Sequence, residues 1–122
     1  MTIGEVVHTL RVSAGLKQTE LAERAGVSAS SVSLVESGRR EPTIKWLRTI
    51  APSLGVSAAV LFAAALAFDD EESDPRAREV AEQLVRAART SLLEQRLQDR
   101  ARPRERSPTR ARRATPDSRD DR

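Results

Sequence analysis

Residues 18–38, QTELAERAGVSASSVSLVESG, decide how the rest of this chain is read. Leu21, Ala22 and Ala25 recur at helical spacing and stop at Gly26, so the pattern predicts a short helix from Gln18 to Ala25. Ser28 is a good N-cap for the next helix, which ends where Gly38 tolerates left-handed geometry. On that helix Val32 and Val35 lie three apart and turn inward, leaving Ala29, Ser30, Ser33 and Leu34 outward. Gly26 permits a sharp turn between the two helices, and Ala22 is small where they would cross. The later helix is spaced like one that lies in a DNA groove. Its outward face, however, has none of the Asn, Gln or Arg that make the strongest contacts to base edges.

Three further helices fit around this pair. The first runs from about Thr2 to Ser13, with Ile3, Val6, Val7 and Leu10 on one face and a stop at Gly15. After Pro42, Thr43 caps a helix with Leu47, Ile50, Ala51 and Leu54 inward, ending at Gly55. Ser57 caps another, from Ala58 to about Leu66. Short connections and the lack of any alternating strand pattern predict a compact all-α bundle of five helices over residues 1–67.

Residues 68–75, FDDEESDP, read as an acidic linker in which Asp74 is an N-cap and Pro75 a first-turn proline. An amphipathic helix is expected over 76–99, for dimerisation or docking, with Val80, Leu84, Ala88, Leu92 or Leu93, and Leu97 near one side. The stripe is alanine-rich and lacks a clean heptad, so it does not read as a coiled coil. Residues 100–122 carry nine arginines against four acidic residues and almost nothing to bury, which predicts a disordered Arg-rich tail.

The composition narrows the function classes. A chain of 122 residues holds one small domain with appendages. It has no cysteine, which removes disulfides and thiolate metal sites and suits a reducing cytoplasm. The opening MTIGEVVHTLRVSAG has neither a basic start nor an unbroken apolar stretch, which argues against a signal peptide. The longest apolar run, Ala58 to Phe68, falls well short of the roughly 20 residues of a membrane helix. Trp46, Phe62 and Phe68 are the only aromatics, which weighs against single-strand binders of the stacking kind. His8 is the sole histidine and no phosphate-binding glycine loop is present, so no catalytic site, cofactor or metal is expected. Trp46 is expected to pack the fourth helix onto the domain, and His8 to be solvated or to face a helix.

Residues 3–66 resemble the phage Cro-and-repressor helix-turn-helix, also called the xenobiotic-response-element type. LKQTELAERAGVSASSVSLVESGRREPTIKWLRTIAPSLGVSAAVLF carries the resemblance: Gln, Glu-Leu-Ala, Ala-Gly-Val-Ser, a hydrophobic pair, Glu-x-Gly, a basic loop with Pro, and Leu-Gly-Val-Ser. The resemblance implies that Ala29, Ser30, Ser33 and Leu34 read base edges in the major groove. It implies phosphate contacts from Gln18, Arg39 and Arg40, joined by Lys17 and Ser31. It also implies a structural ion pair between Arg11 and Glu36. One departure is Lys17: relatives carry Thr or Ser there as N-cap in a box with the glutamate three residues on, here Glu20.

These readings lead to a sequence-specific transcriptional regulator, expected to be a repressor that binds double-stranded DNA at a palindromic operator as a homodimer. It would act in the cytoplasm, on the nucleoid when bound. The alternative is an antitoxin-like or other interaction module whose residues 58–99 bind a protein partner. The Arg-rich tail would add sequence-independent attraction to DNA or serve only for solubility.

Overall fold

Short polar side chains and left-handed glycines set the helix boundaries. The computed structural model describes residues 1–69 and 71–101. It is all-helical there, with α1 (Ile3–Ser13), α2 (Gln18–Ala25), α3 (Ala29–Glu36), α4 (Ile44–Leu54), α5 (Ala58–Phe68) and α6 (Pro75–Ala101). The Thr2 hydroxyl accepts the Glu5 N–H at 3.2 Å while the Glu5 carboxylate accepts the Thr2 N–H at 2.8 Å, a complete capping box. Ser28 caps α3 through the Ser31 N–H at 3.0 Å, and Thr43 caps α4 through the Trp46 N–H, also at 3.0 Å. At α2 only the glutamate half operates: Glu20 accepts the Lys17 N–H at 2.8 Å, and the lysine side chain supplies no cap.

The core joins α1 through α5, with Val6, Leu10, Leu21, Val32, Ile50 and Leu61 wholly buried. Gly26 ends α2 with a φ of 73°, and the chain turns there into α3. Gly4, which the sequence did not single out, lies where α1 crosses α3: a Cβ at that position would collide with the carbonyl oxygen of Val35.

Two expectations about the C-terminal half need correction. The segment 68–75 is anchored at several points. Phe68 is buried as the last residue of α5, Asp69 accepts the Ile3 N–H at 3.0 Å, and the Ser73 hydroxyl donates to the Ala67 carbonyl at 2.8 Å. Asp74 caps α6 as expected, accepting the Arg76 N–H at 2.9 Å. The helix that follows docks on α1 and α5; Leu92 and half-buried Ala88 of the expected stripe face the domain, but the other anchors are Ala81 and Val85. Val80, Leu84, Leu93 and Leu97 of the expected stripe stay exposed. The reason is shape: α6 approaches an alanine-rich surface on α5 and the bare backbone at Gly55, whose Cβ position is 3.3 Å from Leu92. Small residues fit against α5, while the missing side chain at Gly55 leaves room for Leu92. Arg96 closes the far end, donating to the carbonyls of Val12 and Ser13 at 3.4 Å each. The disorder expected of the tail concerns 102–122, outside the described residues, while 100–101 belong to α6.

Candidate nucleic-acid interface

Helix α3 is seated by Val32 and Val35, both buried, which puts Ser30 and Ser33 in solvent and leaves Ala29 and Leu34 half-exposed. Its first turn is tied to α4. The buried Ser31 hydroxyl donates to the Ser28 carbonyl at 2.7 Å and accepts the Trp46 indole N–H at 3.2 Å. Ser31, expected at a phosphate, thus has its hydroxyl turned into the protein, where it couples two helices. Trp46 packs α4 onto the domain as expected and makes this added bond.

The last turn of α3 is held by a charge network. Glu36 and Arg11 have side chains only 5% and 10% exposed, and Arg11 Nε donates to Glu36 Oε2 at 2.7 Å. A second guanidinium nitrogen donates to Glu36 Oε1 at 2.9 Å, making the pair bidentate. Arg11 also donates to the Leu16 carbonyl at 2.7 Å. Gln18 Nε2 donates to Glu36 Oε1 at 3.0 Å, and His8 Nδ1 lies 3.0 Å from the same oxygen. Burial raises the Glu36 pKa, but the hydrogen bonds from Arg11, Gln18 and His8, with the charge of Arg11, outweigh it and hold the carboxyl below its ordinary range. The expected Arg11–Glu36 pair is therefore the centre of a four-residue cluster. His8 stands in it with its outer edge in water. Its position three residues before Arg11 was the available signal, because such residues are neighbours on a helix.

This cluster arranges the basic residues. Glu36 holds Gln18 against the end of α3, so Lys17 and Gln18 at the start of α2 share that end with Arg39 and Arg40. The N–H groups of Arg39 and Arg40 both donate to the Leu34 carbonyl, at 2.9 and 3.1 Å, which closes the helix and leaves both guanidinium groups exposed. Three carboxylates lie in or beside this group: Glu20, which accepts the Lys17 N–H, Glu41, which follows Arg40, and Glu36, whose charge Arg11 neutralises so that it does not oppose an approaching phosphate. Lys45, exposed in the first turn of α4, is a further cation the sequence reading did not assign. Among the described residues no group of three or more His, Cys, Asp or Glu stands ready to hold a metal ion, and no helix is long and apolar enough to cross a membrane.

Comparison with known proteins agrees with this architecture. An immunity repressor protein of Bacillus phage phi105 is 27% identical over 79 residues, covering 65% of this chain and 55% of the relative. An HTH-type transcriptional regulator of Mycobacterium tuberculosis is 39% identical over 70 residues, covering 57% of this chain and 50% of the relative. Another such regulator, from Sinorhizobium fredii, is 42% identical over 55 residues, or 45% of this chain and 71% of that protein. The chain spans about half the length of the first two relatives. No solved structure matches it. The family model described as a helix-turn-helix domain matches residues 2–75, more than half of the sequence and all of α1 through α5. The chain belongs to that phage repressor-like helix-turn-helix family.

Proposed function

We propose that the protein is a repressor that binds a roughly palindromic operator as a homodimer, with α3 of each copy in the major groove. The observation that carries this reading is the α3 surface itself. Its inner side is anchored at one end by Trp46–Ser31 and at the other by Arg11–Glu36. Ala29, Ser30, Ser33 and Leu34 remain on the open side. Lys17, Gln18, Arg39 and Arg40 would take phosphates and fix the register of the helix on the duplex. The readers are small hydroxyls, which accept either hydrogen-bond sense, and Leu34, which suits a thymine methyl.

Without a bidentate partner, each base contributes less than the roughly 1–3 kcal/mol of a strong contact. Specificity then depends on two half-sites about one DNA turn apart and on the shape of the DNA between them. Such a role belongs to the cytoplasm and, on DNA, to the nucleoid. The test is selection of bound sites from a random duplex pool. An enriched inverted repeat is the expected result. Enrichment of a single half-site would overturn the dimer, and no enrichment would overturn DNA reading in favour of a protein partner bound through residues 58–99.

A further inference from the structure

Helix α5 has no polar side chain along its eleven residues. It buries Leu61, Ala64, Ala67 and Phe68, yet its opposite side, Ala59, Phe62, Ala63 and Leu66, is just as apolar. Leu66 is 75% exposed. A helix apolar all round belongs inside a structure, and here one side is covered. Across an open groove from Ala63 and Leu66, the apolar surface continues onto α6 through Ala77 and Val80. Leu84, one turn beyond Val80, extends it and is also exposed.

We propose that this α5–α6 face receives a second copy of the same chain, with the two α6 helices side by side and antiparallel. The inference rests on the dimeric reading above and assigns its surface. What selects a second copy, and this orientation, is the charge pattern along α6. Arg76 and Glu94 lie about five helical turns apart at about 3.6 residues per turn, so they fall on one line of the helix surface. That line borders the Val80–Leu84 face, and its Arg76 end, with Asp74, lines the same groove between α5 and α6. Both side chains are exposed, and neither makes an ion pair among the described residues.

The midpoint between them lies next to Leu84. A two-fold axis there sets Leu84 against Leu84 of the second copy and brings Arg76 of each chain to Glu94 of the other. Parallel pairing would place arginine against arginine and glutamate against glutamate, and the like charges would oppose it. α5 carries no charge, so it adds apolar area to either arrangement without conflict. The surface is also remote from DNA reading. α3 packs on α1 and α2, so pairing through α5 and α6 leaves the α3 face of both copies open.

The test is sedimentation equilibrium of the full chain, with helicity by circular dichroism as a check on folding. Leu84→Glu and Leu66→Glu alter exposed positions and are expected to keep the helicity while weakening self-association at least about tenfold, since each buries a charge in the apolar face. Arg76→Glu and Glu94→Arg are each expected to weaken association by roughly threefold to tenfold, and the double variant to restore it. A dimeric parent whose Leu84→Glu and Leu66→Glu variants stay dimeric would overturn the surface and leave the dimeric reading standing. Single charge variants that weaken association without rescue in the double variant would overturn the antiparallel pairing. A parent that stays monomeric at every concentration would remove the dimeric reading and this surface with it.

Discussion

The α2–α3 half and the α5–α6 half of this molecule are held by different physics. Around α3, position is set by directional bonds between particular side chains: Ser28 to a backbone N–H, Trp46 to Ser31, and Arg11 with Gln18 to Glu36. Each bond needs one residue type at one place. Around α6, position is set by how closely small apolar residues let two helices approach, and several faces of an alanine-rich helix qualify almost equally. Directional bonds that span a few residues, such as the Ser28 cap, make a structure readable from sequence, whereas packing among near-equivalent apolar residues does not.

The largest expected effect probes the directional half. Glu36→Ala leaves the Arg11 guanidinium buried without its carboxylate and is expected to destabilise the domain by about 3–5 kcal/mol in urea unfolding. The same pair has a pH signature. Because the folded state holds the Glu36 carboxyl below its unfolded value, its contribution is present in full above the ordinary glutamate range. It is lost as pH falls through the lowered folded value. Melting temperature should therefore drop on the acid side in the parent, and by less in Glu36→Gln. Equal acid sensitivity in both would show that the pair does not carry the effect.

Next in size is a cut in the packed half. Leu92→Ala removes the buried leucine that seats α6 over Gly55 and should cost about 2–3 kcal/mol. Amide hydrogen exchange should then rise along α6 while α1 to α4 keep their protection. A uniform loss across the domain would mean that the two halves unfold as one.

Replacing Arg39 and Arg40 together by Ala is expected to weaken binding to all DNA sequences alike and to reduce the salt slope by about 2, without changing stability. An unchanged slope in a salt titration would remove both residues from the interface. Lys17→Thr should complete the α2 capping box and raise stability by about 1 kcal/mol, read as a shift in the urea midpoint. Smallest of all, Leu34→Ala should relax preference at a single thymine in a site-selection profile, leaving overall affinity nearly unchanged.

Much of the fold was legible because its punctuation is local. Thr2, Ser28, Thr43, Ser57 and Asp74 announce helix starts, and Gly26 and Gly55 announce ends, through bonds that span only a few residues. The open face of α3 was legible for a related reason. Val32 and Val35 leave one face for solvent once a helix is assumed. Less visible was what each polar group on the frame is bonded to. Ser31 looked free for a phosphate because the indole that occupies it lies on another helix. Gln18 gave no local sign that it meets the carboxylate of Glu36, and His8 gave only its place one turn before Arg11.

By itself, then, the sequence determined an all-helical chain, the boundaries of its first four helices and the outward residues of α3, which follow from interactions within a helix or from a short pattern with one physical solution. The arginine–glutamate pair came from the family resemblance, and the fifth helix runs on past its expected end to Phe68. Only the tertiary structure decided which face of α6 is buried, that the acidic segment before it is anchored at Ile3 and Ala67, and that Gly4 is the close crossing of α1 and α3. Those depend on distances between elements far apart along the chain. There the winning arrangement is the one whose shapes fit, and a list of hydrophobic residues does not carry shape.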